Sequence, residues 1–104
     1  MTKKAVYVVQ STDEQLPKSI SEKKPDLKEL QSHVGGYIQI LPGRLNDRSC
    51  SIVINEEGKL YNFPKNPLAT KLWHDFYKWK YKAQDHELED IIVGPAVILE
   101  GYRL

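Results

Sequence analysis

The sequence predicts an α+β fold: a single small domain whose mostly antiparallel sheet of about five strands carries two helices on one face. Short runs rich in β-branched residues recur along the chain, two segments carry helix caps, and turn residues separate these runs. The 104 residues, 40% of them hydrophobic, suffice for one core but not for two. We therefore treat residues 1–104 as one domain in which residues 11–25 form a loop. The element order favours a ferredoxin-like arrangement with an added hairpin.

The first two elements are a strand and a short helix. Residues 5–10 read AVYVVQ, and such β-branched residues favour a strand. The carboxylate of Asp26 can accept the free amide hydrogens of a helix over Leu27–Val34. Gly35 and Gly36 should end that helix, because glycine adopts the left-handed conformation at little cost.

Three further strands are predicted in the middle of the chain. Residues 37–41 read YIQIL, and we expect Pro42 to end this strand. Residues 50–54 and 59–63 are apolar runs on either side of Asn-Glu-Glu-Gly, which is typical of a turn. The sequence therefore predicts a hairpin whose turn lies at residues 55–58.

The last two elements are a long helix and a closing strand. Asn66 can cap the helix, and Pro67 suits its first position, where a missing N–H has no cost. The helix should run to about Ala83. An acidic connection, residues 84–90, then leads to a strand over residues 91–99, in which a Gly-Pro pair predicts a bulge or an edge break.

This second helix carries more aromatic side chains than one core face needs. At 100° per residue, one stripe should face the sheet. It consists of Leu68, Leu72, Phe76, Trp79 and Ala83. The neighbouring stripe consists of Ala69, Trp73, Tyr77 and Tyr81, and the far side carries Lys71, Asp75, Lys78 and Lys82.

The neighbouring stripe has three interpretations. It can widen the buried face or pack against residues 11–24, and it can be a self-association surface, since Trp and Tyr are enriched at interfaces. It can also be a platform on which a base or nucleotide stacks, with lysines meeting the phosphates. The candidate ligand- or partner-binding residues are Trp73, Tyr77, Tyr81 and Lys78, together with Asn55 and Asn66.

No catalytic apparatus is recognisable in the sequence. The histidines, residues 33, 74 and 86, have no metal-ligand spacing, and Cys50 is best read as a small buried hydrophobe. The adjacent Glu56 and Glu57 are expected to form a solvated turn. Residues 85–90 are too short for a calcium loop. We therefore expect no catalytic residues, no metal and no cofactor.

Charge and hydropathy limit the environment of the protein. The net charge of +1 is not that of a typical nucleic-acid or membrane-surface binder. A single cysteine excludes an intrachain disulfide and fits a reducing compartment. We see neither a signal peptide nor an apolar run of about 20 residues. We expect a soluble, intracellular protein of the cytoplasm with no membrane partner.

Three stretches together resemble a known family: LQSHVGGYIQIL, VINEEGKLYNFPKNPLAT and DIIVGPAVIL. Their order and spacing are similar to domain of unknown function family 3846, small proteins of phages, plasmids and large DNA viruses. The resemblance spans residues 30–99 and implies a viral or mobile-element origin, but no established activity. The matching positions are Val34, Gly35, Gly36, Tyr37, Asn55, Glu56, Glu57, Gly58, Lys59, Pro64, Asn66, Ala69, Thr70 and Gly94.

These observations leave several functional hypotheses. The first is a non-enzymatic binding or accessory protein of a virus or mobile element, which acts on host machinery by binding a host protein or a small nucleotide. The alternative is a nucleic-acid-binding accessory protein that uses the lysines and aromatics of helix 67–83. Self-association into a homo-oligomer is compatible with either. A small hydrolase or transferase would require Asn55, Glu57 and Asn66 to converge without a visible nucleophile.

Overall fold

The structure, a computed structural model, describes residues 4–102 and contains one antiparallel sheet of four strands. The strands are β1 (Ala5–Val9), β2 (Ile38–Leu45), β3 (Arg48–Asn55) and β4 (Ala96–Glu100). The helices are α1 (Leu27–Val34), α2 (Pro67–Tyr81) and a single 3-10 turn, Asp85–Glu87. The α+β class is confirmed, with four strands in place of about five.

The strand order is β1-β4-β3-β2, and every pairing is antiparallel. A ferredoxin-like sheet would place β1 beside β3 in parallel, so that expectation is wrong. Here β4 lies between them. The last strand, β4, is therefore internal and pairs with both β1 and β3, and β1 lies at an edge of the sheet.

The two helices cover opposite faces of the sheet, and the prediction that both lie on one face is wrong. Side chains alternate between the faces along a strand. Ile98 of β4 packs in the cluster that includes Leu72 of α2, whereas the adjacent Leu99 packs in the cluster that includes Leu30 of α1. All five residues of β4 are buried, as expected for a strand with both faces covered.

β2 continues through Pro42 to Leu45, so the prediction that Pro42 ends the strand is wrong. The backbone oxygen of Tyr37 accepts a hydrogen bond from the amide of Glu56 at 2.9 Å. Hydrogen-bonded and non-hydrogen-bonded pairs alternate along an antiparallel ladder. Pro42, opposite Ser51, therefore occupies a non-hydrogen-bonded pair, and its ring nitrogen faces the open edge of the sheet, where no donor is required.

The β-hairpin of the protein joins β2 to β3. Asn46 and Asp47 form its turn with φ values of 51° and 60°, which both residue types tolerate. The turn predicted at residues 55–58 is confirmed by a 3.2 Å hydrogen bond between the backbones of its end residues. The predicted second hairpin arm, residues 59–63, is wrong, because this segment continues as turns.

Both helices begin at the predicted caps. Asp26 accepts a hydrogen bond from the amide of Glu29 at 2.8 Å, and Asn66 accepts one from the amide of Ala69 at 3.1 Å. α2 ends at Tyr81, two residues earlier than predicted. Neither these helices nor any other helix within residues 4–102 has the length and apolar character needed to cross a membrane.

Residues 11–25 contain neither a helix nor a regular strand. This segment borders the free edge of β1, where Val6 donates to the oxygen of Ser21 at 2.9 Å and accepts from Ile20 at 2.7 Å. This edge is therefore partly covered. The predicted final strand, residues 91–99, starts only at Ala96, after the break at the Gly-Pro pair.

Candidate functional site

The face of α2 that meets the sheet differs from the predicted stripe. Ala69 and Leu72 are buried, which confirms Leu72 as core, and Trp73 packs against the same cluster. Trp79 is 45% exposed, and the guanidinium of Arg44 lies 3.9 Å from its ring centroid. The prediction that Trp79 belongs to the core is therefore wrong.

The length of α2 explains this difference. Its 15 residues span about 22 Å, and its buried residues, Ala69 and Leu72, lie in the first half. The second half contributes no member to either core cluster, and its rings contact one another. Phe76, also predicted as core, is only partly buried, with its ring centroid 5.6 Å from that of Tyr77 and 5.9 Å from that of Trp79.

Trp73, Tyr77 and Tyr81 form a continuous aromatic row along the flank of α2, as predicted. The rings of Trp73 and Tyr77 meet edge to face with centroids 6.1 Å apart, and Tyr77 stacks on Tyr81 at 5.7 Å. Trp73 and Tyr77 are partly buried, whereas Tyr81 is 62% exposed. The buried indole nitrogen of Trp73 has no hydrogen-bond partner among the residues that the structure describes.

The segment that follows α2 forms a second wall beside the aromatic row. Lys82 adopts the left-handed conformation, with φ of 55°, and ends the helix. Two contacts hold the following residues against α2. Lys78 pairs with Asp85 at 2.7 Å, and the ring nitrogen Nε2 of His74 donates to the backbone oxygen of Asp90 at 2.7 Å. The space between the two walls is a groove of about 410 Å³.

The lysines of α2 do not line this groove. The hydrogen bond between Lys78 and Asp85 raises the pKa of the lysine and lowers the pKa of the carboxyl group. Lys71 likewise pairs with Asp75 at 2.7 Å. The lysine predicted to accompany the aromatic row is thus turned to an acidic partner and contributes no free cation to the groove.

Acidic side chains line the groove instead. Glu87, Glu89 and Asp90 lie along its second wall. Asp90 pairs with Lys59, and that hydrogen bond lowers the pKa of Asp90. One oxygen of Glu87 accepts the amide of Gln84 at 3.0 Å. The carboxylate of Glu89 forms no hydrogen bond or ion pair with any residue between 4 and 102.

Asn55, the fifth candidate residue, is buried away from the groove. Its side-chain nitrogen donates to the backbone oxygen of Val34 at 3.1 Å, and its side-chain oxygen accepts the amide of Glu57 at 2.7 Å. It thereby fastens the end of α1 to the turn after β3. Besides this structural role, Asn55 lines a separate cleft at the end of α1.

Asn66, the sixth candidate residue, is fully buried. Besides capping α2, its side-chain nitrogen donates to the backbone oxygens of Val9 at 3.1 Å and Gly94 at 2.8 Å. The residue joins β1, the start of α2 and the segment before β4. Like Asn55, it does not line the groove.

A smaller cleft of about 270 Å³ lies at the end of α1 and was not predicted. It is lined in part by Gly35, Gly36 and Glu57, and flanked by Tyr37 and Tyr61. Both tyrosines are exposed. The sequence analysis assigned both tyrosines to predicted strands. The cleft was missed because the segment that places Tyr61 here is a turn in the structure and was predicted to be a strand.

The groups with inherent reactivity are not gathered into a site. Within residues 4–102, no cluster of three or more His, Cys, Asp or Glu side chains is arranged to hold a metal ion. Cys50 is buried, as predicted, and burial together with the nearby Glu100 raises the pKa of its thiol to about 12. A thiol with this pKa is a poor nucleophile.

Comparison with curated proteins and with solved structures yields no match. A family model described as Domain of unknown function (DUF3846) matches residues 1–103. The chain belongs to this family, and the resemblance carried by the three sequence stretches is confirmed.

Proposed function

We propose that this member of the DUF3846 family is a non-enzymatic binding protein that holds a segment of a partner protein in the groove beside α2. The observation that carries the proposal is the uncovered end of the aromatic row, where Tyr81 is 62% exposed and stacked on Tyr77. Tyrosine offers a large apolar surface and a polar hydroxyl, and it is enriched in binding interfaces.

The aromatic row is a formed surface rather than a set of mobile rings. Trp73 at its inner end packs against the core, and each ring supports the next one along the helix. The second wall is held by Lys78–Asp85 and by the hydrogen bond from His74. A preformed groove loses little conformational entropy when a ligand binds.

The charges of the groove favour a protein segment over a nucleotide. Phosphate groups would approach Glu87, Glu89 and Asp90, while Lys78 is paired with Asp85. The alternative function, nucleic-acid binding through helix 67–83, needs lysine amines beside the stacked rings. The amine of Lys80 lies 5.9 Å from the ring centroid of Tyr81, but no lysine lines the groove, and the charged residues of its second wall are acidic. The lining residues therefore support nucleic-acid binding less well.

The remaining parts of the proposal concern origin and setting. The viral or mobile-element origin implied by the family resemblance leads us to propose a host protein as the partner and the host-cell cytoplasm as the place of action. A second copy of the chain is the competing occupant, because the exposed rings also suit self-association.

The experiment is affinity capture from host-cell lysate with three purified proteins: the unchanged chain, the Tyr77→Ala/Tyr81→Ala variant, and the Tyr37→Ala/Tyr61→Ala variant as a matched control. The control removes two tyrosines that lie outside the groove. Trp73 is left unchanged because it packs against the core. Circular dichroism establishes that all three proteins are folded.

We expect a host protein that the unchanged chain and the control retain and that the groove variant loses. The proposal is wrong if all three proteins retain the same set. It is also wrong if sedimentation shows an oligomer that only the groove variant breaks, because the occupant is then a second copy. Binding of a labelled nucleotide that is lost only in the groove variant favours the nucleotide hypothesis instead.

A further inference from the structure

We infer that the groove receives an arginine side chain of the partner segment, with the guanidinium lying between the Tyr77–Tyr81 rings and the carboxylates of Glu87 and Glu89. This inference rests on the proposed function and names the chemistry of its ligand. It follows from three observations: the groove contains carboxylates without a cationic partner, its aromatic rings attract cations, and a planar guanidinium can contact both.

The first feature is the presence of unused negative charge. Glu89 lines the groove and has no polar partner within residues 4–102, and Glu87 uses one oxygen to accept the amide of Gln84 and leaves the other available. Lys78 is paired with Asp85 and Lys59 with Asp90, while the amine of Lys80 lies 5.9 Å from the ring centroid of Tyr81. A cationic ligand would therefore meet two carboxylates, Glu87 and Glu89, that form no ion pair within residues 4–102.

The second feature is the attraction of these rings for cations. Aromatic faces attract ammonium and guanidinium groups through the ring quadrupole. The chain already shows this on the neighbouring rings of α2. The guanidinium of Arg44 lies 3.9 Å from the centroid of Trp79, and the amine of Lys80 lies 5.9 Å from that of Tyr81.

The third feature distinguishes arginine from lysine. A guanidinium is planar, so it can stack on a tyrosine ring while its edge forms two hydrogen bonds to a carboxylate. The groove offers both partners, since Tyr77 and Tyr81 line one wall and Glu87 and Glu89 line the other. Its volume of about 410 Å³ lies within the usual range of ligand sites.

The test uses fluorescence anisotropy with four labelled synthetic peptides of one Gly-Ser framework. They carry two arginines, two lysines, two citrullines or two glutamates at the same positions. Citrulline keeps the shape of arginine without its charge. The titrations are made with the unchanged protein, with Glu89→Gln, with Glu87→Gln/Glu89→Gln, and with Glu56→Gln, whose carboxylate is exposed outside the groove.

We expect the arginine peptide to bind about tenfold more tightly than the citrulline peptide, and the lysine peptide to lie between them. Glu89→Gln should weaken binding of the arginine peptide about threefold, and the double variant about tenfold, while Glu56→Gln should leave it unchanged. Raising the salt concentration from 50 to 200 mM should weaken binding of the arginine peptide and leave the citrulline peptide little changed.

Equal affinities for the arginine and citrulline peptides would overturn the inference, as would an unaffected Glu87→Gln/Glu89→Gln variant or the absence of any binding at millimolar peptide. Tighter binding of the glutamate peptide would overturn it as well. None of these results touches the capture experiment. A host protein lost only by Tyr77→Ala/Tyr81→Ala would still support a protein-binding groove, which would then recognise its partner without an arginine.

Discussion

Replacement of Asn66 by alanine should destabilise the protein far more than replacement of the other helix cap. Asn66 is fully buried, and its side chain makes three hydrogen bonds, one as the cap of α2 and two through its nitrogen to the oxygens of Val9 and Gly94. Asp26 caps α1 with a single exposed bond to Glu29. The effects of the two substitutions on stability should therefore differ by the two buried hydrogen bonds that the side-chain nitrogen of Asn66 donates.

The expected magnitudes follow from these contacts. Loss of a helix cap costs about 1 kcal/mol, and each buried carbonyl left without its donor costs about 1–3 kcal/mol. Asn66→Ala should therefore lower the free energy of unfolding by about 3–7 kcal/mol, and Asp26→Ala by about 1 kcal/mol. For a domain of this size, 1 kcal/mol corresponds to roughly 4–8 °C in Tm.

The assay is urea unfolding followed by circular dichroism, with m-values compared to confirm that the transition remains two-state. Asn66→Ser serves as a milder variant if Asn66→Ala does not fold, because serine keeps the cap and loses both buried donors. It should fall between Asp26→Ala and Asn66→Ala.

A loss of stability in Asn66→Ala no larger than in Asp26→Ala would refute the reasoning. It would mean that the side-chain nitrogen of Asn66 does not hold Val9 and Gly94 in the folded protein, and that the residue is only a cap. The same conclusion would follow if Asn66→Ser were as stable as the unchanged chain.

Two further predictions concern the core. Leu72→Ala should lower the free energy of unfolding by about 2–5 kcal/mol because Leu72 is buried in the core, whereas Trp79→Ala should lower it by about 1 kcal/mol, mostly through loss of the contact with Arg44. The midpoints of urea unfolding compare the two variants. A larger loss of stability in Trp79→Ala would contradict the assignment of Leu72, rather than Trp79, to the face of α2 that packs on the sheet. At pH 8, a pKa of about 12 in place of 9.0 leaves Cys50 with roughly a thousandfold less thiolate, so iodoacetamide should modify the folded protein far more slowly than the protein in urea. Mass spectrometry follows the reaction, and similar rates in the two states would show that the thiol is accessible and ionised.

The local features of the fold could be predicted from the sequence. Asp26 and Asn66 cap helices because a short polar side chain satisfies free amide groups of the first turn, and this requires only the neighbouring residues. The turn at residues 55–58 was predicted for a similar reason. The hairpin at Asn46 and Asp47 carried a comparable signal, since both residue types tolerate positive φ, but no hairpin was predicted there.

The arrangement of the sheet could not be derived in this way. Whether Pro42 ends a strand depends on whether its nitrogen faces a neighbour or an open edge, and the sequence does not specify the edge. The placement of one helix on each face of the sheet, by contrast, could have been predicted from the sequence of β4. Residues 96–99 are uniformly apolar without alternation, which indicates a strand buried on both faces and therefore a helix on each.

One wall of the candidate groove could be predicted from the sequence and the other could not. The spacing of Trp73, Tyr77 and Tyr81 placed them on one flank of a helix, and the structure brings them together. Their acidic neighbours Glu87 and Glu89 were predicted to belong to an acidic connection that is too short for a calcium loop. Nothing in the composition of residues 84–90 reveals that the chain turns at Lys82 and lies beside the same flank.

The pairing of β1 with β4 has a consequence for synthesis on the ribosome. Residues 5–9 are made long before residues 96–100. Those later residues form β4, the strand that pairs with both β1 and β3 in the part of the chain that the structure describes. Until β4 has left the exit tunnel, both β1 and β3 present an unpaired strand edge, and such edges favour association with other chains. The sheet can therefore be completed only after residues 96–100 have emerged, and a chain interrupted before Ala96 should be a target for chaperones or for aggregation.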